Sequence, residues 1–186
     1  MIYSWIKIIR HGLPLLSICV VIEIFAGQIL QGNQEKLLLF PILLISIPVI
    51  NGVGGNIGSI LGARLASGLH VGYINIDIKD KKMHENLFTS IIMGIITYAF
   101  LGIIIYYIAL FSGIIMDDIT LIKFVSIVLA TGLLLICIIT FVSVLTAFLS
   151  FKRGLDPDDM ISPVVTTVGD TLGILFLFLL IGVIGL

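Results

Sequence analysis

A chain of 186 residues that is 59% hydrophobic and only 11% charged, with a mean hydropathy of +1.26, lies far beyond the roughly half-apolar composition of soluble domains and reads as an integral membrane protein. A formal net charge of −1 offers no basic footprint for nucleic acid and speaks against that partner. Both cysteines, Cys19 and Cys137, stand inside apolar runs, which excludes a disulfide framework and zinc-type spacing.

Runs of about 18 or more apolar residues predict an all-α fold with five transmembrane helices. The first span, Leu13 to Leu30, carries Glu23 near its middle, with Gly27 one turn later and Gln28 beside it. It is not a cleaved signal peptide, because it holds an acid, lacks a following small-residue cleavage site and leads into more membrane. Glu23 has two readings: a helix-interface hydrogen bond or a cation ligand.

The second span, Leu37 to Leu69, has 33 residues, which as a straight helix would run roughly 50 Å against about 30 Å of hydrocarbon. It must break, tilt or leave the membrane. Pro48, Gly52, Gly54 and Gly55 predict a break near its middle. Gly54, Gly58, Gly62 and Ala66 fall four apart, the small-residue pattern that lets two membrane helices approach closely. Arg64, five residues from Leu69, is placed to snorkel to the headgroups or to meet Asp156, Asp158 and Asp159.

The third and fourth spans, Leu87 to Phe111 and Leu121 to Leu149, hold no acidic residue. The fifth, Pro163 to Leu186, holds Asp170, seven residues and about 10 Å from its start, with Ser162 as expected N-cap and Pro163 at the first position. An intramembrane carboxylate is a functional site by default, the alternative being a hydrogen bond that holds the bundle together. Helical spacing puts Thr166, Thr167, Asp170 and Gly173 on one stripe. If the second span runs inward and the fifth outward, Asp170 falls level with Gly62, and Asn51 or Asn56 of the broken helix would add oxygens. Such donors suit a hard cation, magnesium with calcium or manganese as alternatives.

Counting lysine and arginine by loop gives seven on one side (Lys7, Arg10, Lys79, Lys81, Lys82, Lys152 and Arg153) and two on the other (Lys36 and Lys123). The positive-inside rule then puts the amino terminus inside and the carboxyl terminus outside. His11, His70 and His84 form no metal spacing. Asp156, Asp158 and Asp159 read either as a cation-concentrating vestibule or as a solvated turn, as do Met116, Asp117 and Asp118 on the other face. Residues 1–186 read as one membrane-embedded domain of a multi-pass cell-membrane protein, with no soluble regulatory domain.

The paired segments I-P-V-I-N-G-V-G-G-N-I-G-S-I-L-G-A-R-L-A-S-G-L (Ile47 to Leu69) and D-P-D-D-M-I-S-P-V-V-T-T-V-G-D (Asp156 to Asp170) resemble the membrane domain of MgtE-type magnesium transporters and their eukaryotic solute-carrier relatives. The G-L-P-L-L and E-I-F-A-G-Q-I-L of the first span look like the solute-carrier side. The resemblance implies a dimer in which the second and fifth helices of both halves line one ion path. It puts the central cation-binding aspartate on Asp170, a second aspartate on Asp156, and the glycine-asparagine motif of the pore-side helix on Gly55 and Asn56. Mg2+ is then the transported and bound ion, and the partner is a second copy or a sibling half-length subunit in the lipid bilayer. The bacterial amino-terminal cytosolic domains have no counterpart here.

Two other classes compete. A non-conducting assembly subunit would use Asp170 structurally. An intramembrane aspartyl protease needs two aspartates sharing a proton, and only Asp170 lies within a span, so the chain is not expected to be an enzyme.

Overall fold

The computed structural model describes residues 5–77, 79–114 and 119–184, the side chains of residues 5, 7, 8 and 11 excepted. Met116, Asp117, Asp118 and the side chains of Lys7 and His11 therefore lie outside the described residues. The chain forms α1 (Trp5–Gly32), α2 (Gln34–Leu39), α3 (Ile42–Val71), α4 (Lys81–Phe111), α5 (Leu121–Lys152) and α6 (Pro157–Ile184). All but the six-residue α2 are long and apolar enough to cross a membrane. The chain is a multi-pass membrane protein.

The long second span divides differently from expectation. Leu37 to Leu39 belong to α2, the chain turns at Phe40 and Pro41, and α3 then runs uninterrupted through Pro48, Gly52, Gly54 and Gly55. The expected mid-span break is absent from the helix. Pro48 forfeits only its own bond to the carbonyl of Leu44, while Gly54 and Gly55 are buried against neighbouring helices. Those glycines serve close approach rather than a break. With 30 residues, α3 is about 45 Å long and accommodates its excess by tilting or projecting.

α6 also starts earlier than predicted. Pro157, not Pro163, takes the first helical position, and Asp156 Oδ1 receives the N–H of Asp158 at 3.1 Å. The aspartate-proline pair outcompetes Ser162-Pro163 as the start signal, because an aspartate cap followed by proline satisfies the same orphan donors one and a half turns sooner. Asp170 thus stands 13 residues into its helix, about 20 Å from its start.

α3 is the central helix, packed on α4, α5 and α6, while α1 touches the bundle through α6. Small residues bring these helices together. Tyr98 of α4 is fully buried with its ring over Gly132 of α5. Its hydroxyl donates to the carbonyl of Ile50 at 2.8 Å. That approach exists because Gly54 has no Cβ, which would sit 3.1 Å from the hydroxyl and 2.7 Å from Leu135. At the far end of α3, Gly72 at φ 75° closes the helix in the left-handed region. Asp80 then caps α4, accepting from the N–H groups of Lys82 at 2.8 Å and Met83 at 3.1 Å.

Candidate functional site

α6 is held by α3, α5 and α1, and the side left uncovered next to α3 makes the site. Against α3 the pairing is antiparallel: Asn51 meets Asp170 and Gly173, Gly55 meets Thr166, Gly58 meets Val165 and Gly62 meets Ile161. This places Asp170 level with Asn51 and Gly52, not with Gly62 as a helix starting at Pro163 had implied. Against α1 the pairing is parallel. Cys19 Sγ donates to the carbonyl of Pro163 at 3.7 Å, and four residues on, Thr167 Oγ1 donates to Glu23 Oε1 at 3.2 Å.

The two threonines of the predicted stripe therefore part company. Thr167 is buried and turned to Glu23. Thr166 stays partly uncovered, its hydroxyl hydrogen directed back to the carbonyls of Ser162 at 2.9 Å and Pro163 at 3.1 Å. That leaves the oxygen lone pairs free to accept from outside the helix. Asp170 is also partly uncovered. Its main-chain carbonyl takes the Asn51 amide, and among the described residues no hydrogen bond or ion pair reaches its carboxylate. Glu23 is near enough for the two carboxylates to interact through their charges.

Ser162, Thr166 and Asp170 share one ridge of α6, and the facing ridge of α3 carries Gly52, Asn56 and Ser59. The two Ser hydroxyls, of Ser59 and Ser162, lie 3.1 Å apart. Counting along the antiparallel register from that contact sets Asn56 level with Thr166 and Gly52 level with Asp170. None of these six residues is buried. A polar seam thus runs along α3 and α6, uncovered, within helices long enough to span a bilayer. Polar groups in hydrocarbon demand water, a cation or another protein surface.

Sequence reasoning missed Ser59 and Ser162 as seam residues, although their spacing from Asn56 and Thr166 was visible once the register was known. Asp156 is not part of this cluster. It caps the same helix, 14 residues before Asp170 and about 21 Å away. Arg64 is exposed, carries no ion pair among the described residues, and lines a separate open cleft of about 550 Å³ with Ser67, Tyr73, Ile74 and Asn86 at the end of α3. Among the described residues no three His, Cys, Asp or Glu side chains converge to hold a metal. Within one chain, a cation at Asp170 would keep most of its water.

The family model for MgtE, described as a divalent cation transporter, matches residues 47–180, well over half of the chain. The chain belongs to the MgtE family. The MgtE match contains Gly55, Asn56, Asp156, Thr166, Thr167 and Asp170, and begins after Glu23. Solute carrier family 41 member 3 of Rattus norvegicus is 28% identical over 182 residues, covering 90% of this chain and 38% of its own length. The protein of the same name from Mus musculus is 26% identical over 182 residues, covering 90% and 36%. The chain thus spans well under half the length of these MgtE-related proteins. No solved structure gives a significant match.

Proposed function

We propose that the chain forms half of a divalent-cation path through the cell membrane, with Mg2+ as cargo and a second copy, or a sibling half-length subunit, completing the path. The observation that carries this reading is the uncovered polar seam of α3 and α6, centred on a carboxylate with no protein partner among the described residues. A twofold arrangement about that seam would cover both polar ridges at once and bring two Asp170 side chains to one ion. Membership of a family described as divalent cation transporters supports the same reading.

The residues divide the work by position. Asp170 supplies the charge. Thr166 and Asn56 present oxygens about one turn from it, and Gly55 lets the two helices close behind them. Hydroxyl, amide and carboxylate oxygens favour hard cations, and Mg2+ in particular keeps several waters while binding few carboxylates. Calcium or manganese would fit the same donors less selectively. Thr167 and Glu23 hold α1 against α6, with Glu23 close enough to add negative potential. Asp156, at the start of α6, serves at the mouth of the path. The amino terminus lies inside and the carboxyl terminus outside, as the loop charges require.

The test is flux in liposomes under magnesium, calcium, manganese and sodium gradients, comparing the wild type with Asp170→Asn. Divalent flux that the variant loses supports the proposal. A folded wild type that conducts none of these ions points instead to a non-conducting assembly subunit.

A further inference from the structure

Asn51 is an expensive residue where it stands. It is 6% exposed in the core of the α3–α6 contact. Its Nδ2 donates to the main-chain carbonyl of Asp170 at 3.0 Å, while its Oδ1 is buried without a hydrogen-bond partner. A buried acceptor left unpaired destabilises a fold, and an apolar side chain of the same volume would avoid that penalty. The amide orientation follows from this contact, because the flipped amide would set Oδ1 against the Asp170 carbonyl, oxygen on oxygen.

The surroundings are shaped to admit this amide. Gly173, one turn beyond Asp170, faces it, and a Cβ at Gly173 would collide with Asn51 Oδ1 and lie 3.1 Å from Cγ. Elsewhere the α3–α6 contact sets glycines against apolar surface, Gly58 on Val165 and Gly62 on Ile161. Such contacts fix how close the helices come, but they are not directional. The Asn51 bond is directional, and it acts on Asp170 itself.

We propose that Asn51 is a positioning residue for Asp170: it grips the main-chain carbonyl from the buried side and so fixes the rotation and height at which the carboxylate faces the seam. Gly173 is its clearance. The inference rests on the reading of Asp170 as the cation ligand. Buried in the contact, Asn51 does not touch the ion. It acts as an outer-shell partner, a kind of residue whose loss typically weakens metal binding by about 10- to 100-fold.

The experiment compares wild type, Asn51→Leu, Gly173→Ala and Asp170→Asn as full chains, measuring melting temperature in detergent, Mg2+ affinity by calorimetry and Mg2+ flux in liposomes. Asn51→Leu removes both the donor and the orphan oxygen at similar volume. It is expected to melt at or above the wild-type temperature while its Mg2+ dissociation constant rises at least about tenfold. Gly173→Ala displaces the amide without removing a polar group and is expected to weaken binding in the same way. Wild-type affinity in both variants, with binding lost in Asp170→Asn, overturns the role of Asn51 and leaves Asp170 as ligand. Wild-type affinity in Asp170→Asn overturns both. Melting temperature and affinity falling together in both variants makes Asn51 a structural residue and also overturns the proposal.

Discussion

Thr167 donates its hydroxyl to the Glu23 carboxylate at 3.2 Å, and this bond joins the least enclosed helix to the helix that carries Asp170. α1 otherwise packs on the bundle through α6, with Cys19 bonded to the carbonyl of Pro163. Glutamine at position 23 keeps an acceptor for Thr167, whereas alanine keeps none. Interhelical hydrogen bonds in membranes average about 0.6 kcal/mol, so Glu23→Ala should lower stability by about that much and Glu23→Gln by less. Flux through Glu23→Gln should exceed flux through Asp170→Asn. Thermal melting and liposome flux on the three proteins check both statements, and a folded Glu23→Gln without flux would make Glu23 a ligand in its own right.

The neighbouring threonines should separate cleanly by substitution. Thr166 directs its hydrogen into its own helix and its lone pairs to the seam, while Thr167 spends its hydrogen on Glu23. Valine is nearly isosteric with threonine and lacks the hydroxyl. Thr166→Val is expected to weaken Mg2+ binding several-fold, about the value of one lost hydrogen bond of 0.5–1.5 kcal/mol to the ion's water shell, with melting unchanged. Thr167→Val is expected to leave affinity close to wild type and to loosen α1, seen as faster proteolysis near the amino terminus. The reverse pattern would exchange the two roles.

Glycines four apart suggest a dimer seam, but these face inward. A Cβ at Gly58 would collide with Ile139 and lie 3.1 Å from Val165, and one at Gly62 would collide with Ile161, all within the same chain. Gly52 has open space around it and lies on the uncovered ridge. Gly58→Leu should therefore destabilise the single chain, by about 1–3 kcal/mol or more as overpacking does. Gly52→Leu should leave the chain folded and instead reduce assembly or flux. Size-exclusion chromatography beside thermal melting distinguishes them. Wild-type melting for Gly58→Leu would contradict the observed packing.

These contrasts mark what the sequence could and could not convey. The spans were legible because apolar runs of this length have one stable environment, and Asp170 was legible because a lone carboxylate in such a run needs a reason. Which way Gly52, Gly54 and Gly58 face was not legible, since a repeat of four identifies a close-packed face without naming the helix that packs on it. The start of α6 was misread because Ser162-Pro163 and Asp156-Pro157 carry the same capping chemistry, and tertiary packing of Met160 and Ile161 in the core favours the longer helix. The antiparallel register then set Asp170 against Asn51 rather than Gly62. The role of Asn51 was hidden with it, because a side chain that bonds the main chain of a distant residue leaves no spacing signal.

Outside the spans, acid should act on the α3–α4 connection through Asp80. Its carboxylate accepts from the main-chain N–H of Asn75 at 3.0 Å, and from those of Met83 and Lys82. These bonds, the one from Asn75 foremost, hold its carboxyl below the ordinary value of 3.8. A depressed carboxyl contributes stability that is fully present above the ordinary value and is lost as pH falls through the lower, folded value. Asparagine at this position would keep a cap without a titrating group. Wild type should thus melt higher than Asp80→Asn at neutral pH, and the difference should shrink only once the pH passes below 3.8. Melting curves from neutral pH downward test this, and a difference that vanishes well above that value would remove Asp80 from the account.

The last prediction concerns competition between protons and metal at Asp170. Only the ionised carboxylate attracts a divalent cation, so each proton taken up removes a ligand and each ion bound displaces a proton where the site is partly protonated. Mg2+ affinity of the wild type should fall as the pH is lowered from neutral, while the protein stays folded. At mildly acidic pH the measured binding heat should depend on the ionisation enthalpy of the buffer, because protons leave as the ion enters. Asp170→Asn keeps the size and the main-chain carbonyl that Asn51 holds, so it should fold and assemble. It should bind weakly at every pH, with no buffer dependence from this site. Calorimetric titration of both proteins in two buffers, at neutral and mildly acidic pH, measures all of these quantities. If the two proteins bind with equal affinity throughout, Asp170 is not an ion ligand, and the polar seam of α3 and α6 exists to be covered by another protein surface.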